Sequence, residues 1–159
     1  MDDPIAEIRN RFENYPGART EEGDSWIRFL PSSPEGFVIE FRMGQGEYIV
    51  AFEGWHARFH DLDESLNCFA FGLSNECRLK IVSRGGKPYR WTVEHYCDGE
   101  WIPESETGLL LFQFWRSPRV TYRQNMLIKS VQYDTVSPIT NRVKTPPVNS
   151  ASTWDSTSK

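Results

Sequence analysis

Tight turns between short strand-like segments limit the folds open to this chain more than any other feature of its sequence. Gly44-Gln45-Gly46, Gly85-Gly86 and Asp98-Gly99 each stand between two such segments, and glycine supplies the positive φ angles that short hairpin turns need. Parallel strands would instead need crossover connections of a dozen or more residues. The turns therefore predict an antiparallel α+β domain and leave no room for a doubly wound sheet.

Hydrophobic periodicity predicts where the helices and strands lie. A first helix is predicted from Pro4, behind the capping side chain of Asp3, and a second helix behind Asp61 or Asp63. Strands are predicted at 26–30, 37–43, 48–53, 77–83, 89–96, 109–115 and 120–124. Residues 109–115 are nearly all apolar, so this strand is expected in the buried centre of the sheet. Residues 18–25 and 54–60 are predicted to be connections.

These segments together predict one folded domain and a tail. Residues 1–134 are expected to form a single antiparallel sheet of about five to seven strands, built from hairpins, with both helices packed on it. Residues 135–159 are rich in Ser, Thr and Pro and lack apolar periodicity. A disordered tail is therefore expected there.

Charge and cysteine content narrow the class of protein. Fifteen acidic and six basic residues stand up to residue 76, against seven acidic and twelve basic residues after it. A chain with this asymmetry can steer a charged partner or pack against a copy of itself as a homodimer. Three cysteines without a C-x-x-C pair predict reduced thiols. The N-terminus is acidic and no apolar run is long enough for a membrane helix, so we expect a cytoplasmic protein. We also expect no cofactor.

One segment combines residue types that bind metals or transfer protons. His56 and His60 stand beside Asp61, and imidazole with carboxylate can hold a transition metal or act in acid–base catalysis. In a helix the two histidines would share a face, but four residues of extended strand span about 13 Å. Asp61 is predicted to cap the next helix, so loop histidines are expected and no bound metal. A small enzyme or ligand-binding pocket that uses His56, His60 and Asp61 is the alternative function.

Aromatic and basic residues in the chain indicate a surface for another molecule. Six tryptophans occur in this chain of 159 residues, and tryptophan is favoured at protein interfaces. The predicted interaction residues are Trp55, Trp101, Trp115, Arg84 and Lys87. The alternative is that the tryptophans only close the ends of a small sheet. Nucleic-acid binding is disfavoured, because the chain has a net charge of −4 and no RNP-like or helix-turn-helix motif.

The sequence contains no complete motif for nucleophilic catalysis or phosphate binding. Neither a G-x-S-x-G elbow nor a Walker loop is present. A non-enzymatic protein-binding module is therefore the favoured function. One form of it is an antitoxin or immunity-type partner whose acidic first half covers a basic enzyme.

Two segments of the sequence also resemble a known group of proteins. Residues 52–56 have the sequence F-E-G-W-H and residues 66–73 have the sequence L-N-C-F-A-F-G-L, followed by C-R-L-K, R-G-G and W-T-V-E. Across about residues 36–125, they are similar to small bacterial proteins of unknown function. The resemblance implies a bacterial, cytoplasmic protein and no particular activity.

Overall fold

The computed structural model describes residues 3–129, which form two helices and nine strands. The helices are α1 (Pro4–Phe12) and α2 (Leu62–Leu73). The strands are β1 (Arg19–Gly23), β2 (Trp26–Leu30), β3 (Ile39–Met43), β4 (Tyr48–Phe52), β5 (Trp55–Phe59), β6 (Cys77–Arg84), β7 (Lys87–Cys97), β8 (Glu100–Gly108) and β9 (Pro118–Arg123). They form two antiparallel sheets, with strand order β1-β2-β3-β4-β5 in the first sheet and β8-β7-β6-β9 in the second.

The first sheet is a meander in which each strand pairs with the next one along the chain. Its strands alternate between a buried and a solvent-facing side. In β3, Ile39 and Phe41 are fully buried, whereas Arg42 is exposed. Phe41 pairs with Val50 of β4, so apolar side chains meet across neighbouring strands on the buried face.

Both helices pack on the apolar core that this face creates. The Asp3 side chain caps α1, and Phe12 at the end of that helix lies 5.0 Å from Phe29, measured between ring centroids. The longer helix α2 contacts β3, β4 and β5 of the first sheet and β6 of the second. A Cβ atom on Gly72 would lie 2.4 Å from the Phe52 ring. Glycine at this position therefore lets α2 approach the first sheet closely.

The second sheet is built around the hairpin of β6 and β7. Its turn residues Gly85 and Gly86 have φ angles of 58° and 78°, and positive φ at both central residues is typical of a type I′ turn. The fully buried Leu79 of β6 belongs to the same core as the first sheet. The two sheets are joined where the Trp55 indole Nε1 of β5 donates to Ser105 Oγ of β8 at 3.1 Å.

The prediction of a single sheet with five to seven strands is wrong, because two segments predicted as connections are strands. Residues 18–25 contain β1 and residues 54–60 contain β5. β1 has the sequence R-T-E-E-G and gives no apolar alternation. β5 follows β4 after a two-residue turn. With these strands the first sheet is complete, and the strands after α2 form a second sheet.

The predicted buried strand at residues 109–115 is also wrong. The structure has no strand between Gly108 and Pro118, and Leu110 and Leu111 are almost fully exposed. The strand at this point is instead β8, which precedes the apolar run and consists mainly of polar residues. An apolar run of this length fits a buried strand by composition, but within residues 3–129 no second layer covers it.

The other predicted helices and strands agree with the structure apart from their ends. The strand predicted at 37–43, for example, begins at Ile39. The predicted domain end at residue 134 and the predicted tail at 135–159 lie outside the described residues. Between residues 3 and 129, neither helix is long and apolar enough to cross a membrane.

Candidate functional site

Exposed apolar side chains are concentrated at one end of the second sheet. Twelve large apolar side chains are exposed among residues 3–129, and of these only Tyr15 lies outside residues 96–126. Several belong to residues 109–115, which lie in the connection from β8 to β9 and which we call the apolar loop. Its most exposed side chains are Leu110 (96%), Leu111 (93%), Phe114 (73%) and Trp115 (68%). Soluble proteins rarely leave a large contiguous apolar patch uncovered unless it binds something.

The backbone of the apolar loop is held in place by Arg84 of β6. One guanidinium nitrogen, Nη1, donates to the carbonyl oxygens of Phe114 at 2.8 Å and Arg116 at 2.6 Å. At the start of the loop, the Phe112 ring stacks on Tyr89 with 4.4 Å between the ring centroids. The exposed side chains therefore project from an ordered backbone, which lowers the entropic cost of binding.

A shallow cleft lies beside the apolar loop. Its volume is about 220 Å³, and it is lined by Lys87, Pro88, Tyr89, Leu111, Phe112 and Gln113. Apolar walls next to one ammonium group suit an apolar side chain with a carboxylate close by. The cleft and the loop form one continuous surface because they share Leu111 and Phe112.

Three cations around the apolar loop have no carboxylate partner in the described part of the chain. They are Lys87, Arg116 and Arg119, all of them exposed, and we call them the basic rim. Arg84 pairs with Lys87 across the β6–β7 hairpin and with Pro118 of β9, which brings the rim to one end of the sheet. Unpaired cations beside apolar surface attract a partner of opposite charge.

The outward face of the second sheet carries an arginine between two aromatic rings. The guanidinium carbon of Arg78 lies 4.5 Å from the ring centroid of Trp101 and 4.1 Å from that of Tyr122. Its Nε donates to the Glu94 carboxylate at 2.8 Å. Cation–π contacts and an ion pair with a buried carboxylate hold this side chain firmly. Arg78 therefore stiffens the sheet and has little capacity left for a ligand.

The structure does not bring His56, His60 and Asp61 together as one site. β5 is extended, so His56 and His60 are separated by about 13 Å along the chain. His60 Nδ1 lies 3.2 Å from the Gly46 carbonyl oxygen, and the Asp61 carboxylate accepts the Glu64 amide as the cap of α2. Within residues 3–129, no three His, Cys, Asp or Glu side chains lie close enough together to hold a metal ion.

The three cysteine thiols are not activated as nucleophiles. Burial raises the pKa of the Cys68 thiol to about 12, and burial also raises the pKa of Cys77 well above its ordinary value. The neighbouring Asp98 carboxylate raises the pKa of the Cys97 thiol. Because the thiolate is the reactive form, a raised pKa leaves these side chains protonated at neutral pH.

The predicted interaction residues lie in three different places. Trp115, Arg84 and Lys87 belong to the apolar loop and its immediate surroundings. Trp101 is half-buried in the arginine–aromatic contact on the outward face. Trp55 is only 4% exposed and uses its N–H between the two sheets, so it is a structural residue.

Leu110, Leu111 and Phe114 are surface residues that the sequence pattern did not predict as such. Their apolar run was predicted to lie in the centre of the sheet, whereas the structure leaves it outside. The polar Gln113 within the run is the one local signal that argues against a fully buried strand.

Comparisons with known proteins give no match. No protein-family model matches the chain, and no curated protein or solved structure matches it. The resemblance to small bacterial proteins therefore stays a prediction.

Proposed function

We propose that the chain is a non-enzymatic protein-binding module whose contact surface is the apolar loop with its basic rim. The observation that carries this proposal is the exposure of Leu110, Leu111, Phe114 and Trp115 on a backbone that Arg84 holds. Burying such side chains against a partner stabilises a complex by about 25 cal/mol per Å² of apolar area. The ordered backbone reduces the free energy that would otherwise be lost on binding.

A protein fits this surface better than a nucleic acid does. Binding of single-stranded nucleic acid needs open aromatic faces beside cations that are free to contact phosphates. Arg78 and Arg90 instead form ion pairs with Glu94 and Glu106, and Arg84 donates to carbonyl oxygens of the loop. The most exposed positions are aliphatic leucines, which suit the apolar centre of a protein interface.

Charge indicates which kind of protein surface would fit. An antitoxin or immunity-type complex is one form of this proposal. Three carboxylates in or next to the first sheet pair with the chain's own arginines: Glu22 with Arg9, Glu40 with Arg28 and Glu47 with Arg58. The basic rim lies beside the exposed apolar side chains, so it is the charged part of the proposed contact, and the partner surface would be acidic. All three cysteines are free, which supports a reducing, cytoplasmic location.

Site-specific photo-cross-linking in the native cell tests this function. A photoreactive phenylalanine analogue replaces Leu111 in the apolar loop or, as a matched control, the exposed Thr20 of β1. The proposal expects a discrete protein adduct from position 111 and none from position 20. Adducts with lipid or nucleic acid alone, the same adducts from both positions, or no adduct would contradict it.

A further inference from the structure

Four edge strands bound the two sheets, and three of them are protected against pairing with a foreign strand. β1 is short and carries one arginine and two glutamates. β5 contacts β7 and β8 of the second sheet. β8 contains Pro103, three glutamates and a shift of register opposite Val93 and Glu94. Short charged strands, coverage, proline and irregular register are the features by which proteins block edge pairing.

The fourth edge strand, β9, is less protected: its proline is the first residue, its register with β6 has no shift, and its charged residues are all of one sign. It pairs with β6 from Pro118 to Arg123 and, among the described strands, with no other strand on its outer side. Val120 and Tyr122 are 45% and 49% exposed and share a face because side chains alternate along a strand. Contacts from the first sheet's side reach the C-terminal end of β9, where Arg123 donates to the Gly36 carbonyl oxygen at 3.3 Å and the Gln124 N–H to the Glu35 carbonyl oxygen at 2.8 Å.

The charge on and around β9 decides which strand could pair with it. β9 carries Arg119 and Arg123 and no carboxylate. Arg123 pairs with Glu53 at 3.3 Å, whereas Arg119 belongs to the basic rim at the N-terminal end of the strand. Pairing with β9 of a second copy would add a second basic rim and no carboxylate of β9, and like charges on paired strands destabilise the pairing. An incoming strand that carries Asp or Glu would gain attraction at the same positions.

We infer that β9 accepts an extended, acidic segment of the partner protein as a fifth strand of the second sheet. This inference rests on the proposed protein-binding function and specifies how the partner is recognised. Backbone hydrogen bonds to β9 supply affinity, while alternate side chains of the incoming strand pack on Val120 and Tyr122. Its carboxylates meet the basic rim, and the apolar loop, which leads directly into β9, adds apolar contact area at one end.

Synthetic peptides are the probe for strand addition. Blocked decapeptides that alternate Val or Ile with Asp or Glu are titrated against the full chain by fluorescence anisotropy, beside matched peptides with Lys at the acidic positions. We expect the acidic peptides to bind, to bind less tightly as salt is added, and the lysine peptides not to bind. Methylating alternate backbone nitrogens of the best peptide should lower affinity at least about tenfold in one pattern and less than about twofold in the other.

A charge variant on β9 tests the acidic preference with a matched control. Arg119→Glu reverses a charge on β9, and Arg19→Glu makes the same change on β1 at the far edge of the first sheet. Arg119→Glu should lower the affinity for the acidic peptides about tenfold, whereas Arg19→Glu should leave it unchanged. Both side chains belong to exposed residues, and a thermal unfolding curve for each variant establishes that it folds.

Several results would overturn strand addition. They are equal binding of acidic and lysine peptides, equal losses from both methylation patterns, no peptide binding, or a stable dimer through β9 in sedimentation. A wrong recognition mode remains distinguishable from a wrong function. If only strand addition fails, the cross-linker at position 111 still captures a protein, whereas failure of the binding function removes that adduct.

Discussion

The first sheet and the loop end of the second sheet treat the same residue types in opposite ways. In the first sheet, Phe41 and Phe52 are fully buried, and Arg28 pairs with Glu40 at 2.6 Å. Around the apolar loop, Phe114 is 73% exposed, and the exposed Arg116 has no carboxylate partner among residues 3–129. In the first sheet, these rings are buried and this arginine is paired within the fold. The loop end leaves both apolar surface and positive charge available to another molecule.

This difference separates stability from binding within one small domain. Burial of apolar area stabilises the fold only where a second layer covers it, and α2 with α1 supplies that layer for the first sheet. The apolar loop contributes little to folding, because its side chains stay in water. Burial of its side chains therefore contributes favourable free energy only when a partner covers them.

The largest expected effect comes from truncating the same residue type in the two regions. Phe52→Ala should lower the free energy of unfolding by about 3–5 kcal/mol, since it leaves a cavity between α2 and the first sheet. Phe114→Ala should lower it by less than about 0.5 kcal/mol. Urea unfolding measures both. Equal losses would show that the apolar loop is part of the core, and the comparison would fail.

Adding a methyl group at two glycines sharpens the comparison by packing density. A Cβ on Gly72 meets the Phe52 ring at 2.4 Å, whereas a Cβ on Gly108 has its nearest neighbour, the Tyr89 carbonyl oxygen, at 3.7 Å. Gly72→Ala should destabilise the protein by about 1–3 kcal/mol, because the buried ring cannot move aside. Gly108→Ala should change stability by less than about 0.5 kcal/mol. Thermal unfolding gives both values, and a stable Gly72→Ala variant would contradict the close packing of α2.

Removing the anchor of the apolar loop should loosen the loop more than the fold. Arg84→Gln removes the hydrogen bonds to Phe114 and Arg116, worth about 1–2 kcal/mol of local stability. Hydrogen exchange of residues 109–117 should accelerate, while exchange in β3 and β4 stays the same. Lys87→Gln, which removes a nearby charge without a carboxylate partner, is the control. Unchanged exchange in the loop of Arg84→Gln would mean that other contacts order it.

The smallest expected effect is a pH dependence at the junction of the two sheets. Burial raises the pKa of Glu53 above its ordinary value of 4.5, although Arg123 opposes the shift. A raised pKa in the folded state contributes stability at low pH that is lost as pH rises through the folded pKa. As pH rises from about 4 to about 7, the free energy of unfolding of the wild type should therefore fall relative to that of the Glu53→Gln variant. If the free energy of unfolding of the wild type instead rises relative to that of the variant over this range, attraction by Arg123 outweighs burial.

The sequence predicts local structure well where a single side chain determines it. Asp3 and Asp61 cap the two helices, and the glycines at 85 and 86 form the predicted hairpin turn. Each of these features depends on hydrogen bonds or φ angles within a few residues. Such local signals are present in the sequence itself.

The layer that covers each segment is a non-local property, and the sequence did not predict it. β1 lacks an apolar side and is held by pairing with β2, so hydrophobic periodicity does not predict this strand. Leu110 and Leu111 belong to a run with the composition of a buried strand, yet no helix or sheet in the described part of the chain covers them. Trp115 and Trp55 were both predicted as interaction residues, yet Trp115 is exposed and Trp55 is buried. The sequence alone does not tell which tryptophan becomes covered.

The central claim is that the apolar loop serves binding and not folding, and one paired measurement tests it most directly. The variant Leu110→Ser/Leu111→Ser/Phe114→Ser and the control Tyr15→Ser, which alters the exposed aromatic side chain near α1, are compared with the wild type in urea unfolding and in affinity capture from the native lysate. We predict that the triple variant keeps its free energy of unfolding within about 1 kcal/mol and loses the protein captured by the wild type and by the control. A large loss of stability, or capture of the same protein by the triple variant, would contradict the account.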